Sequence, residues 1–174
     1  MLSLPISPKD FIHSLCKEAL KLLPDRMTSD KALVMLCAIA LQESALNHRW
    51  QVIDFKRPNV KGPARGLLQF ERGTRASRGG VWGVYLHSAS KDHLKQVCDA
   101  RGVNFEPNAI YERLEQDDIL AICVARLLLW TDPKALPSIS DSNGAWELYL
   151  RTWRPGKPKP NAWPSNHRRA VESL

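Results

Sequence analysis

Ten consecutive residues, Ala32 to Leu41, carry no charged or polar side chain apart from the weakly polar thiol of Cys37. On an α-helix such a run spans nearly three turns and is apolar on every side. A helix of this kind has no face to offer water, so it belongs in the middle of a fold. It is too short to cross a bilayer, which takes about 20 apolar residues. The chain is therefore expected to wrap other elements around this segment. The helix should start near Thr28 or Ser29 and run to about Leu46. Gln42 and Glu43 are the first polar residues after the run.

The other segments are helical too. Ser7 reads as an N-cap, with Pro8 at the first helical position and Asp10 at the third. Phe11, Ile12, Leu15, Ala19, Leu22 and Leu23 then form an apolar stripe, and Pro24 ends it. Ser90 caps a helix over Lys91–Arg101, with Gly102 as its stop. Another runs from about Gln116 to Thr131, and a further one begins at Asp141 or Ser142 and passes through Leu150. The Pro155–Pro164 stretch is too stiff for a helix, and Ser165 caps a last one. Residues 47–65 read as a long loop, in which Trp50 to Phe55 suits a small hairpin strand. The glycine-rich segment 72–86 reads as a flexible lead into a short helix. The expected class is mainly α, in a single domain over residues 1–174, with the Pro-rich basic segment 151–174 packing on it.

Charge and cysteines narrow the setting. The net charge is +7, and Arg151 to Arg169 holds six Lys or Arg and no acidic residue. Such a stretch attracts polyanions. No helix-turn-helix, zinc finger or aromatic RNA motif accompanies it, so no nucleic-acid partner is expected. Cys16, Cys37 and Cys123 fall inside apolar helical patterns and read as small buried hydrophobes, although disulfide pairing among the four cysteines stays open. Neither C-x-x-C nor a histidine pattern with metal spacing occurs, so no metal and no cofactor is expected. No basic leader followed by an apolar run precedes the first helix, and no run is long enough for a transmembrane segment.

The chemistry centres on Glu43. A carboxylate at the edge of an apolar helix is costly unless protonated, paired or used. A buried acid keeps its proton near neutral pH and can deliver it to a leaving group. Farther along, Ala64-Arg65-Gly66-Leu67-Leu68-Gln69-Phe70-Glu71 forms a glycine-led turn. There Gly66 permits a close backbone approach or positive φ, while Leu67, Leu68 and Phe70 pack inward.

Glu43-Ser44 followed by Gly66-Leu67-Leu68-Gln69 resembles the Glu-Ser and Gly-Leu-Met-Gln motifs of soluble lytic transglycosylases and goose-type lysozymes. The wider pattern, with Leu127-Leu128-Leu129-Trp130 and Trp153-Arg154-Pro155-Gly156, is similar to small phage and prophage proteins of that superfamily. The resemblance implies a lysozyme-like fold, a peptidoglycan substrate and Glu43 as general acid or acid/base. It makes Ser44 and Gln69 substrate-binding residues and gives Tyr149 a place beside the glutamate, although Leu150 stands where the family has Asn. Trp50 and Trp82 are the stacking candidates for sugar rings.

The second carboxylate is Glu71 or Asp54. Glu71 follows the turn where goose-type lysozymes carry an aspartate, whereas the transglycosylases use one glutamate alone. Both product types stay open, as does a surface ion pair of Glu71 with Arg72 or Arg75. The expected protein is a monomer made in a bacterial host cytoplasm, reaching the cell wall by holin release or in a phage particle. The alternative is a non-catalytic virion or glycan-binding protein on the same fold.

Overall fold

The computed structural model describes all residues, 1–174. It is mainly helical, with eight helices and one two-stranded antiparallel sheet. Helix α1 begins at Pro8–Asp10, passes through a π-helical stretch Phe11–Cys16 and ends at Lys17–Leu20. Ser7 caps it as expected, accepting from the Asp10 N–H at 3.0 Å. Helix α2, Asp30–Ser44, is capped by Ser29, whose hydroxyl accepts from the Ala32 N–H. The helix stops two residues short of the expected Leu46, because Ala45 and Leu46 take left-handed φ values of 51° and 59°.

Strand β1 is Trp50–Val52 and β2 is Lys61–Arg65. They pair Trp50 with Arg65 and Val52 with Lys61. The 47–65 segment is therefore a hairpin and not a loop with one strand, its second strand carrying Gly62 and Pro63. It is anchored at its base. Arg49 makes a two-point ion pair with Asp118, both contacts at 2.8 Å and both residues buried. Removing one partner of such a pair typically costs about 3–5 kcal/mol. Glu115 receives Lys61 and Arg65, and the Tyr111 hydroxyl donates to the Pro63 carbonyl.

The remaining helices are α3 (Gly80–Leu86), α4 (Lys91–Arg101), α5 (Pro107–Arg113), α6 (Asp118–Trp130), α7 (Ser142–Trp153) and α8 (Trp163–Val171). Helix α4 has the expected bounds and ends on Gly102 with φ 63°. Ser90 does not cap it by its side chain; that hydroxyl donates to the Val84 carbonyl, tying α4 to α3. Helix α5 was not foreseen, although Pro107 at its first position and Glu106 as its cap carry the signal. Helix α8 starts at Trp163, before the expected Ser165, because Pro164 is tolerated in a first turn.

Helix α2 lies at the centre, packed mainly on α8, on α1 and on α6. Leu36, Cys37, Ala38, Ile39 and Ala40 have no exposed surface, as a segment apolar on all sides requires. Full burial of each large aliphatic side chain contributes about 1.5–3 kcal/mol. All four cysteines are buried and free. Burial pushes the thiols of Cys37 and Cys123 up to about 12, so they behave as apolar filling. No helix is long and apolar enough to cross a membrane.

Candidate active site

Glu43 is the last residue but one of α2. Its apolar helix carries it to the edge of the core, where its side chain is only partly exposed. Burial pushes the carboxyl from 4.5 up to about 7. The Tyr149 hydrogen bond and the Lys159 charge pull down, and the negative charge of Glu71 pushes up. Its place at a helix C-terminus also disfavours the ionised form, since the helix dipole is negative there.

The Tyr149 hydroxyl donates to Glu43 Oε1 at 2.6 Å. Burial and the neighbouring carboxylate push the phenol up, so it stays a donor. The Tyr149 ring is fixed by aromatic neighbours. It stacks on Trp163 at 5.2 Å and 17°, with Trp146 at 5.3 Å and Trp153 at 6.4 Å. Trp153 in turn donates to the Leu68 carbonyl at 3.0 Å and packs edge-on against Phe70. Helix α7 is thereby bound to the glycine-led turn.

That turn is closed by reciprocal backbone bonds between Arg65 and Phe70. Gly66 has φ 73°, and a Cβ there would lie 3.0 Å from the Leu114 carbonyl and 3.2 Å from Ala121 Cβ. Both expected reasons for glycine therefore operate together. Leu67, Leu68 and Phe70 are buried, as expected.

Ser44 is committed to structure. Its hydroxyl donates to the Leu67 carbonyl at 2.6 Å and accepts from the Leu46 N–H at 3.2 Å. It is buried, and these bonds make it a latch. It joins the end of α2 to the turn and holds the two left-handed residues that follow Glu43. Gln69 also takes a left-handed φ, 51°, and its amide N–H donates to the Gly66 carbonyl at 2.8 Å. Its Oε1 has no protein partner and is open to a ligand donor.

Glu71 is exposed and forms no ion pair; Arg72 binds Asn108 instead. Asp54 sits at the hairpin tip, where the Arg57 guanidinium at 2.8 Å and the Lys56 N–H hold its carboxyl below the usual range. Of the two carboxylates, Glu71 is the one whose charge Glu43 feels. Trp50 lends its N–H to the Pro58 carbonyl and carries Lys61 over its ring at 4.7 Å. Trp82 packs edge-on against Tyr85 at 5.6 Å. No ring contact or hydrogen bond ties either tryptophan to Glu43, Tyr149 or Gln69.

Trp153, Trp163 and Lys159 belong to the site and were not assigned to it from sequence. Gln42 fastens the basic tail there, donating to the Lys159 carbonyl at 3.0 Å and accepting from Asn166 at 2.9 Å. The spacing of Trp146, Tyr149 and Trp153 on one helix was the available signal. A partly exposed acid that holds its proton near neutral pH, beside a tyrosine hydroxyl, can protonate the leaving oxygen of a bound ligand. Comparison with protein-family models, with curated proteins and with solved structures returned no match.

Proposed function

We propose that this protein cleaves the glycan strands of peptidoglycan, on a lysozyme-like fold, with Glu43 as general acid. The observation that carries the reading is the Glu43–Tyr149 pair at the end of a buried helix. A carboxyl raised to about 7 keeps a large share of its proton at neutral pH. Because Oε1 accepts from Tyr149, the proton resides on Oε2, which is left to meet the glycosidic oxygen. Proton transfer frees the leaving sugar and leaves an oxocarbenium-like centre with Glu43 as carboxylate. That carboxylate then serves as base toward the sugar's own 6-hydroxyl, giving a 1,6-anhydro end, or Glu71 activates water. The central helix with its terminal glutamate, the small hairpin and the Gly66–Phe70 turn support the lysozyme-like reading, in which the hairpin region forms one wall of a cleft.

The test is mass spectrometry of soluble products from purified peptidoglycan, with Glu43→Gln in parallel. Anhydro-muramic ends from the parent alone identify a lytic transglycosylase. Reducing ends with added water identify a hydrolase and assign the base role to Glu71. Absence of products from the parent refutes the reading and favours a glycan-binding or virion role.

A further inference from the structure

A cavity of about 300 Å³ lies away from Glu43, between the 78–87 segment, the end of α6 and the end of α7. Arg78, His87, Asp132, Arg151 and Arg154 line it. Arg151 points about 200° from Tyr149 on α7, and none of Glu43, Gln69, Tyr149 and Trp163 lines this cavity.

The charges around the cavity are unbalanced. Asp132 is its one carboxylate, and Arg151 engages it at 3.0 and 3.3 Å. Arg78 and Arg154 have no carboxylate within ion-pair distance. Arg154 has only a long contact, 3.5 Å, to the Ser77 carbonyl. Three guanidiniums against one carboxylate leave two positive charges at one small polar cavity. His87 accepts the Ala89 N–H on Nδ1, so its neutral ring carries hydrogen on Nε2, one more donor.

The backbone adds an independent observation. Five non-glycine residues have left-handed φ. Ala45 and Leu46 follow the end of α2, Gln69 lies in the glycine-led turn, and the other two are Arg78 and Arg154, both at 50°. Arg154 occupies the position after a helix where glycine is the ordinary choice. Strain at non-glycine residues persists where the surroundings enforce it and clusters at functional sites. Here both left-handed arginines, each exposed to solvent, line the same cavity.

We infer that this cavity is a binding site for a dianionic phosphate group on a small soluble ligand, held by Arg78, Arg151 and Arg154. The two uncompensated charges match a phosphate dianion. Guanidinium forks bind its oxygens through paired charge-assisted hydrogen bonds. The site is separate from the proposed glycan chemistry and does not rest on it.

The test is calorimetric titration at pH 8 and low, matched ionic strength. Inorganic phosphate, glycerol 3-phosphate, acetate and vesicles of phosphatidylcholine with phosphatidic acid are the probes. The full chain is compared with Arg78→Gly, Arg154→Gly and Glu43→Gln. Glycine fits the left-handed backbone, so both arginine variants should melt no lower than the parent. The expected result is saturable one-to-one binding of both soluble phosphates, weakened about tenfold in each arginine variant and unchanged in Glu43→Gln. Any of four results overturns the assignment. These are no phosphate binding by the parent, parent-like binding by folded arginine variants, acetate binding as tightly as phosphate, or binding confined to vesicles.

Discussion

Replacing Glu43 by Gln should change how stability depends on pH, whatever the protein acts on. In the folded protein the carboxyl is raised from 4.5 to about 7. Below pH 4.5 both folded and unfolded chains hold the proton, and the group adds no pH dependence. Between 4.5 and about 7 the folded chain keeps the proton that the unfolded chain loses, so stability falls as pH rises. Above about 7 the loss is complete. At about 1.4 kcal/mol per pH unit, this window amounts to about 3 kcal/mol. That is a ceiling, because the side chain retains some contact with water. Glutamine mimics the protonated acid and can still accept the Tyr149 hydroxyl. Glu43→Gln should therefore match the parent near pH 4.5 and exceed it by up to about 3 kcal/mol at pH 8. In a chain of this size that corresponds to roughly 6–12 °C in Tm. Urea denaturation at pH 4.5, 6, 7 and 8 gives the comparison. Burial also lowers the His167 pKa, which makes stability rise with pH, but this occurs in both proteins and cancels in the difference. A stability difference that stays flat from pH 4.5 to 8 would refute the claim that Glu43 is held protonated by its surroundings.

Three further substitutions probe the site's construction. Tyr149→Phe removes the hydrogen bond that holds the Glu43 carboxyl down, so a carbon-13 titration of Glu43 should move upward from about 7, and the alkaline limb of any glycan-cleavage profile with it. An unchanged titration would mean that the hydroxyl does not engage the carboxyl in solution. Ser44→Ala leaves the Leu67 carbonyl and Leu46 N–H without their partner and should destabilise by about 2–3 kcal/mol in urea unfolding; a loss under 0.5 kcal/mol would remove its role as latch. Gly66→Ala puts a Cβ against Leu114 and Ala121 on a left-handed backbone and should cost about 2 kcal/mol or more, read by the same unfolding experiment. Parent-like stability there would show that the turn relaxes freely.

Much of this protein is legible locally. The Ala32–Leu41 run dictates a buried central helix, Ser7, Ser29 and Gly102 mark helix ends, and the cost of a carboxylate after an apolar run singles out Glu43. These are properties of a few neighbouring residues, and periodicity and capping register them. Ser44 shows where such reading stops. Its place in a motif suggested a ligand, but its hydroxyl bonds are set by the turn that packs against it. Strand β2 was hidden because Pro63 and Gly62 read as loop residues, and only pairing with β1 and anchoring by Glu115 and Tyr111 make them extended.

The sequence by itself determined that a glutamate would stand at the end of a buried helix and that its proton would be hard to remove. Tertiary packing alone decided what stands opposite it: Tyr149, 106 residues away, with Trp163 against its ring and Lys159 alongside. The physical reason is the range of the interactions. Apolar periodicity and caps act within a helical turn or two, whereas a hydrogen bond between distant residues exists only after helix packing has brought both groups within about 3 Å.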